Sequence, residues 1–315
     1  MIQKDVLIVG GGPAGTACAW KLKEYGISPL ILDKEKFPRE KLCAGWITPH
    51  VFHLLKDVPG NYPYGLTRFS SFRITVKQSH FTLPVNQFAI RRYEFDNWLL
   101  KRSEAEIHSH QVKEIKHENG AYIIDDMYAA PILIGAGGTY CPVRKYLTPW
   151  DDQDQENLIV AVEQEFPYSY TDNRCHLWFL QNGLPGYSWY VPKSGEYLNI
   201  GIGGKAAKLK EKSSSIREHW NLFIEQLQNL GLVDGDTFHP WGHSYYLNHK
   251  SHETHRDGIY LIGDAAGLAT KDMGEGIGPA IQSGILAAKS IAQKKFYKLS
   301  SIPKYSFPSI LKIRK

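Results

Sequence analysis

Asp5-Val-Leu-Ile-Val-Gly10-Gly-Gly12-Pro13-Ala14-Gly15 is an apolar run that enters a glycine turn without a break. Short apolar runs bounded by turn residues read as buried strands, and the residues from Pro13 to about Tyr25 carry the periodicity of a helix. A second apolar run, Pro29–Asp33, follows, so the chain opens as a βαβ unit. The glycines have the spacing G-x-G-x-x-G. Gly10 permits the tight turn, Gly12 lets backbone approach a pyrophosphate, and Gly15 lets helix and strand pack closely. Phosphates then rest on the free N–H groups at the helix N-terminus. Asp33 ends the second strand, eighteen residues past Gly15. A carboxylate there accepts hydrogen bonds from ribose hydroxyls, which suits NAD(H) or FAD and repels a 2′-phosphate.

A matching signal stands near the other end. Gly263-Asp264-Ala265-Ala266-Gly267 follows the strand-like GIYLIGD, and Gly274-Glu275-Gly276-Ile277-Gly278 opens a helix reaching about Lys294. Asp264 can bind sugar-like hydroxyls, and a helix N-terminus stabilises negative charge placed against it. Between the two signals the texture changes. Phe69–Leu83 alternates like antiparallel strands, Arg92–Lys101 is helical, and Val112–His117 with Ala121–Met127 reads as a hairpin. Ala129–Gly138 is a strand ending in glycines. From Asp151 to Leu247 aromatic-rich strands dominate, interrupted by one helix near Ser213–Leu230. IGIGG, Ile200–Gly204, lies inside this antiparallel stretch and has no following helix, so it is not a second dinucleotide site. The expected fold class is α/β: a Rossmann-type dinucleotide domain (1–68, 84–150 and 248–295) interrupted by a mostly antiparallel β-sheet substrate domain (69–83 and 151–247), with a basic C-terminal tail over 296–315.

Composition excludes the other broad classes. Among 315 residues, 43% are hydrophobic and 22% are charged, which excludes a disordered, collagen-like or disulfide-dense chain. Cys18, Cys43, Cys141 and Cys175 are far apart and form no CxxC pair, so they read as reduced thiols of a cytoplasmic protein with no zinc site. His219, His239, His243, His249, His252 and His255 crowd one region without metal-ligand spacing, and no metal is expected. No signal peptide or membrane-spanning run is expected. After Glu275 there is no acid, only eight cations, so the preceding body is mildly acidic. Phe296, Tyr297, Tyr305, Phe307 and Ile310 lie among those cations. Such a tail is either solvated or a peripheral contact with an anionic membrane surface at its inner face. Nucleic acid is not an expected partner, because no recognition module accompanies the charge.

With these motifs in place, the chain resembles the p-hydroxybenzoate hydroxylase-like flavoproteins and, more closely, the geranylgeranyl reductases, over about residues 3–295. FPREKLCAG (Phe37–Gly45) is similar to the reductases' FPRxKxCGG, and Arg92 in RYEFD to the arginine of RxxFD. IGAGGTYCPVRK (Ile134–Lys145) is similar to GADGxxSxVR. GYSWYVPK (Gly186–Lys193) resembles YxWxFP. The resemblance implies non-covalent FAD. It implies that Gly10, Gly12, Pro13, Ala14 and Gly15 hold the pyrophosphate, Asp33 with Lys34 the adenosine ribose, and Arg92 the pyrophosphate or ribitol. Backbone near Val112 would flank adenine, Gly263 and Asp264 the ribitol, and Gly274, Gly276 and Ile277 the pyrimidine edge. Cys43, Ala44 and Gly45 would lie near the isoalloxazine. Cys43, Tyr187 and Trp189 are the implied catalytic group, the two aromatics sharing one strand face. Cys43 reads either as an active thiol or as a small positioning residue.

The implied activity is reduction of C=C bonds in a prenyl lipid by hydride from reduced flavin, with an apolar, lipid-like small molecule as substrate. Two alternatives stand beside it: a flavin-dependent hydroxylase of an aromatic or lipid substrate, and a flavin-binding protein without turnover at a membrane. Departures from the family pattern are Gly137 for the aspartate of GADG, Ala44 for a glycine, and Val191 for phenylalanine. Tyr187 replaces the tryptophan of a related halogenase signature and speaks against halogenation. The sequence ends soon after the last flavin helix, where relatives continue into a helical region, which suggests a more open site or another use of the tail. No NAD(P)H domain is evident; NAD(P)H and ferredoxin are the candidate electron donors, and oligomeric state is not legible.

Overall fold

A computed structural model describes residues 1–151, 154–235, 237–249 and 253–307. In chain order come, among others, strand β1 (Val6–Val9), helix α1 (Pro13–Glu24), β2 (Pro29–Asp33), β3 (Trp46–Ile47), β4 (Thr67–Val76), β5 (Ser79–Ala89), α2 (Arg92–Ser103), β6 (Glu106–Ser109) and β7 (Ile132–Gly135). Then follow β8 (Leu158–Pro167), β9 (Cys175–Phe179), β10 (Gly186–Lys193), β11 (Tyr197–Lys205), α3 (Ile216–Asn229), β12 (Trp241–Tyr246), β13 (His255–Arg256), β14 (Ile259–Leu261) and α4 (Ile277–Gln293). They divide into two units: Met1–Arg39 with Tyr93–Asp151 and Tyr246–Ser306, and Glu40–Arg92 with Asp152–Tyr245.

The first unit is built on a six-stranded sheet in the order β13-β14-β7-β1-β2-β6. All its neighbours are parallel except the edge pair β13/β14. β1 and β2 are buried along their whole length, as strands covered on both faces must be. The strand order reverses between β1 and β7, and ligands of such sheets bind where it does, beyond the carboxyl ends. Pro13 at the first helical position of α1 is preset for the helix. A small sheet of Ile2–Gln3, Tyr128–Ala130, Ala121–Ile124 and Ile115–Glu118 lies in the same unit, and its Ile115–Glu118/Ala121–Ile124 hairpin falls within the expected one.

The second unit is one eight-stranded sheet, β12-β8-β11-β10-β9-β4-β5-β3, antiparallel wherever its pairing is described except for β9 beside β4. Leu198, Ile200, Ile202, Tyr190 and Trp178 form one face and pack against Trp220, Phe223 and Leu227 of α3. Each such buried side chain contributes about 1.5–3 kcal/mol. α3 starts at a capping box: Ser215 Oγ accepts from the Glu218 N–H at 3.2 Å, and Glu218 Oε2 accepts from the Ser215 N–H at 2.8 Å.

Two boundaries differ from the sequence expectation. The whole of 40–92, not only 69–83, belongs with the antiparallel unit. The β4/β5 hairpin is longer than its alternating core suggests, and β3 adds to its end through Trp46↔Ala89 and Ile47↔Phe88. The segment expected to be tail is packed into the first unit up to Ser306. Tyr297 is buried with its hydroxyl donating to Leu261 O at 2.9 Å, and Ile302 joins the core. Phe296 and Tyr305 are exposed. Residues 308–315, the rest of that tail, lie outside the described residues, as does His252.

Candidate functional site

Both glycine motifs of the first unit meet. Gly10 has φ +113, and a Cβ there would lie 2.4 Å from Ala136 O, so only glycine fits where the strand order reverses. On Gly15 a Cβ would lie 1.9 Å from Gly10 O. Gly12 is different: its Cβ position is open except for the Arg39 guanidinium at 3.5 Å. Gly284 of α4 packs backbone to backbone on α1, its Cβ position 2.3 Å from Ala14 O, and Gly263 lies against Ala14 and Ala280. Ser283 of α4 accepts from the Gly263 N–H at 2.9 Å. Asp264 Oδ1 is 3.3 Å from the Cβ position of Gly276, which caps α4. Neither α1 nor α4 has a side-chain cap or an acid in its first turn. Two bare helix N-termini, a cradle that a Cβ would fill and flanking aspartates fit a dinucleotide diphosphate and its sugars.

Asp33 is buried at the end of β2 and accepts from the Gly11 N–H at 2.6 Å and the Glu35 N–H at 2.9 Å. Each of its oxygens thus accepts one backbone N–H and keeps a further lone pair. Lys34 beside it is exposed, and Val112 is half-buried against the core. Gly274 has φ +64, and the loop it begins is held by the Thr270 hydroxyl accepting from the Glu275 N–H at 2.9 Å. Burial raises the Glu275 carboxyl to about 7, a Ser306 hydrogen bond opposing and Asp272 reinforcing the rise. Arg39 lies within FPREKLCAG, where nothing in the motif marks it as functional. It pairs at 3.2 Å with the fully buried Asp96, the aspartate of RYEFD, and stacks on Phe37. That places a fixed cation beside the phosphate loop.

In the second unit, Tyr187 and Trp189 do share a face of β10, with ring centroids 5.6 Å apart. Trp46 lies 6.4 Å from each, stacked on Tyr187 and edge-on to Trp189. The Trp189 indole covers Gly201, whose Cβ would lie 2.2 Å from the ring, and donates to Asn199 Oδ1 at 2.7 Å. Beside this aromatic platform stands a polar cluster that the motifs do not reveal. Lys193 is fully buried and donates to Glu165 Oε2 at 2.6 Å and to Cys43 O at 3.2 Å. Asn199 Nδ2 also reaches Cys43 O, at 3.4 Å. Arg91 donates to Glu165 Oε1 at 2.9 Å and stacks on Tyr197. The only visible signal was alternation in LIVAVEQEF, which puts Glu163 and Glu165 on one face.

Cys43, Gly45 and Trp189 are thus brought together within this unit. Gly45 has φ +78 and a Cβ position 2.1 Å from Ile90 O. The Cys43 sulfur accepts from the Gly45 N–H at 3.3 Å. Burial holds the thiol above its ordinary value, with Arg92 opposing, Glu163 reinforcing and Lys193 opposing. At neutral pH it is a thiol whose residue is gripped through its carbonyl. Glu163 is fully buried, and neither carboxyl oxygen meets hydrogen-bond geometry with a partner among the described residues. Burial raises it to about 7; Lys193 and Asn199 oppose, Glu165 reinforces and Lys41 opposes. His243 Nδ1 lies 3.7 Å from Glu163 Oε1, and burial, then Lys41 and Arg92, lower that imidazole to about 3.

Residues 3–59 match the family model described as an FAD binding domain. An uncharacterized protein of Methanosarcina barkeri is 30% identical over 308 residues, 93% of this chain and 75% of that one. A digeranylgeranylglycerophospholipid reductase of Methanosphaera stadtmanae is 25% identical over 318 residues, 92% of this chain and 78% of that one. The crystal structure of a geranylgeranyl bacteriochlorophyll reductase-like protein from Thermoplasma acidophilum shares the fold with a TM-score of 0.80 at 20% identity, covering 93% of this chain and 79% of that one. The chain belongs to the geranylgeranyl reductase family of FAD-dependent oxidoreductases. FAD is the cofactor.

Proposed function

We propose that this oxidoreductase saturates C=C bonds in the chain of a prenyl or other isoprenoid lipid. The observation that carries the reading is the aromatic platform of Trp46, Tyr187 and Trp189, an apolar surface suited to an unsaturated hydrocarbon. In this reading Gly10, Gly12 and Gly15 hold the diphosphate on the α1 N-terminus. Asp33 binds the adenosine ribose and Asp264 the ribitol. Arg39 neutralises the phosphate. FAD, when bound, supplies the two-electron hydride chemistry. Isolated alkenes are poor electrophiles, so the chain's task is to orient the bond and exclude water, and Trp189, fixed by Asn199, is the rigid wall for doing so.

The basic C-terminal segment, with exposed Phe296 and Tyr305, is proposed to touch the anionic lipid surface from which such a substrate comes. Among the described residues no helix is long and apolar enough to cross a membrane. The test is anaerobic. Holoenzyme reduced with dithionite is mixed with geranylgeranyl diphosphate or a prenylated lipid in vesicles, and the visible flavin band is followed. Its return, with a saturated product by mass spectrometry, supports the reading; no return with any prenyl acceptor overturns it.

A further inference from the structure

Glu163 on β8 and Trp189 on β10 both face Gly201 of β11 in the ladder, so they share a sheet face with only a glycine between them. A Cβ on Gly201 would lie 2.2 Å from the indole and 2.6 Å from Glu163 Cβ. The glycine lets carboxyl and ring close up over it. No motif in the sequence marks Glu163, and the aromatic platform does not need it. Groups facing it come from every neighbouring element: His243 on β12, Lys193 on β10, Asn199 on β11, and Lys41 with Cys43 from the segment before β3. Lys193 is engaged by Glu165 and by Cys43 O. Neither oxygen of Glu163 meets hydrogen-bond geometry among the described residues, with the Asn199 amide approaching it but also turned to Cys43 O, an arrangement that costs free energy unless the group is protonated or meets a ligand.

We propose that Glu163 is the proton donor of the reduction, giving its carboxyl proton to one alkene carbon of a substrate held against Trp189. The inference rests on the prenyl-reductase reading. The step balances: the π bond breaks, one carbon gains hydride from the reduced flavin, which loses two electrons, and the other gains the proton of Glu163. The carboxylate left behind is reprotonated from water, past the neutral His243 ring. A carboxyl raised to about 7 is an efficient acid near neutral pH.

The experiment compares wild type with Glu163→Gln, both as holoenzyme, reduced with dithionite and mixed anaerobically with geranylgeranyl diphosphate. The expected result is reoxidation slowed on the order of 10²-fold in the variant. Reoxidation by ferricyanide, which requires no proton on carbon, stays unchanged. The wild-type rate falls as pH rises through about 7, while the residual rate of the variant is flat. Infrared difference spectra between acidic and alkaline pH supply a readout apart from turnover: a protonated-carboxyl signal titrating near 7 that is larger in wild type than in the variant, where Glu275 remains. If Glu163→Gln does not fold, Glu163→Asp takes its place, with a shifted carboxyl band and a slowed rate expected. A variant that keeps pace with wild type, or a carboxyl signal no larger in wild type than in the variant, overturns the proposal alone. A wild type that no prenyl acceptor reoxidises overturns the substrate reading, and the proposal with it.

Discussion

The Lys193 ammonium donates to the backbone carbonyl of Cys43, tying the end of β10 to a loop 150 residues earlier. The same ammonium holds Glu165, which Arg91 also engages, so one buried cation anchors both the CAG loop and the sheet face. Burial alone would push the Glu165 carboxyl up, and Lys193 with Arg91 brings it below its ordinary value.

Lys193→Met is therefore expected to destabilise the protein by about 3 kcal/mol, since it leaves a buried carboxylate short of a partner. Urea unfolding of the variant checks this. The loss should shrink when Glu165→Gln is added, because the orphaned charge is gone.

Gly12→Ala and Gly15→Ala separate binding from folding. The Gly15 variant forces a Cβ into Gly10 O and should lower the melting temperature of FAD-free protein. At Gly12 only a guanidinium is near, so that variant should melt like wild type and bind FAD at least about tenfold more weakly, a loss of about 1.4 kcal/mol. Fluorescence titration with FAD reads the second effect.

Arg39→Ala strips the cation from fully buried Asp96 and from the phosphate loop. Both stability and FAD affinity should fall. Adding Asp96→Asn should recover much of the stability and none of the affinity, as melting curves with and without FAD will show.

Glu163 gives a pH signature. Its folded value of about 7 stands above the ordinary 4.5, so the folded state keeps a proton that the unfolded state releases. The Glu163 share of stability should accordingly fall by about 3 kcal/mol as pH rises from about 4.5 to 7, while His243, lowered to about 3, contributes in the opposite direction and Glu275 in the same one. Glu163→Gln loses the Glu163 share and keeps the others, so the difference between the two proteins isolates it. Urea midpoints of the two proteins at pH 5 and pH 8 provide the check, with the variant gaining relative to wild type at the higher pH.

The nucleotide unit was legible because its physics is local. A glycine spacing needs no partner to be read, and β1, α1 and β2 fall almost where apolar runs and Pro13 place them. β7 and β14 were legible as buried strands from their apolar runs, while their parallel pairing is supplied by the fold. What the residues could not disclose was long-range pairing. Trp46 and Ile47 carry no strand signature and become β3 only by adding to the end of a hairpin. Lys193 and Glu163 look like ordinary polar positions until β8, β10, β11 and β12 lie side by side. Arg39 sat inside a quoted motif, yet its cationic role depends on Asp96, a partner that only folding supplies.

The close seating of Gly284 on Ala14 has a consequence for biosynthesis. Strand β1 and helix α1 leave the ribosome long before α4, which carries the surface they pack against. Such remote pairings form slowly and late. Nascent chains must wait, partly exposed, until α4 emerges, and cofactor capture waits with them.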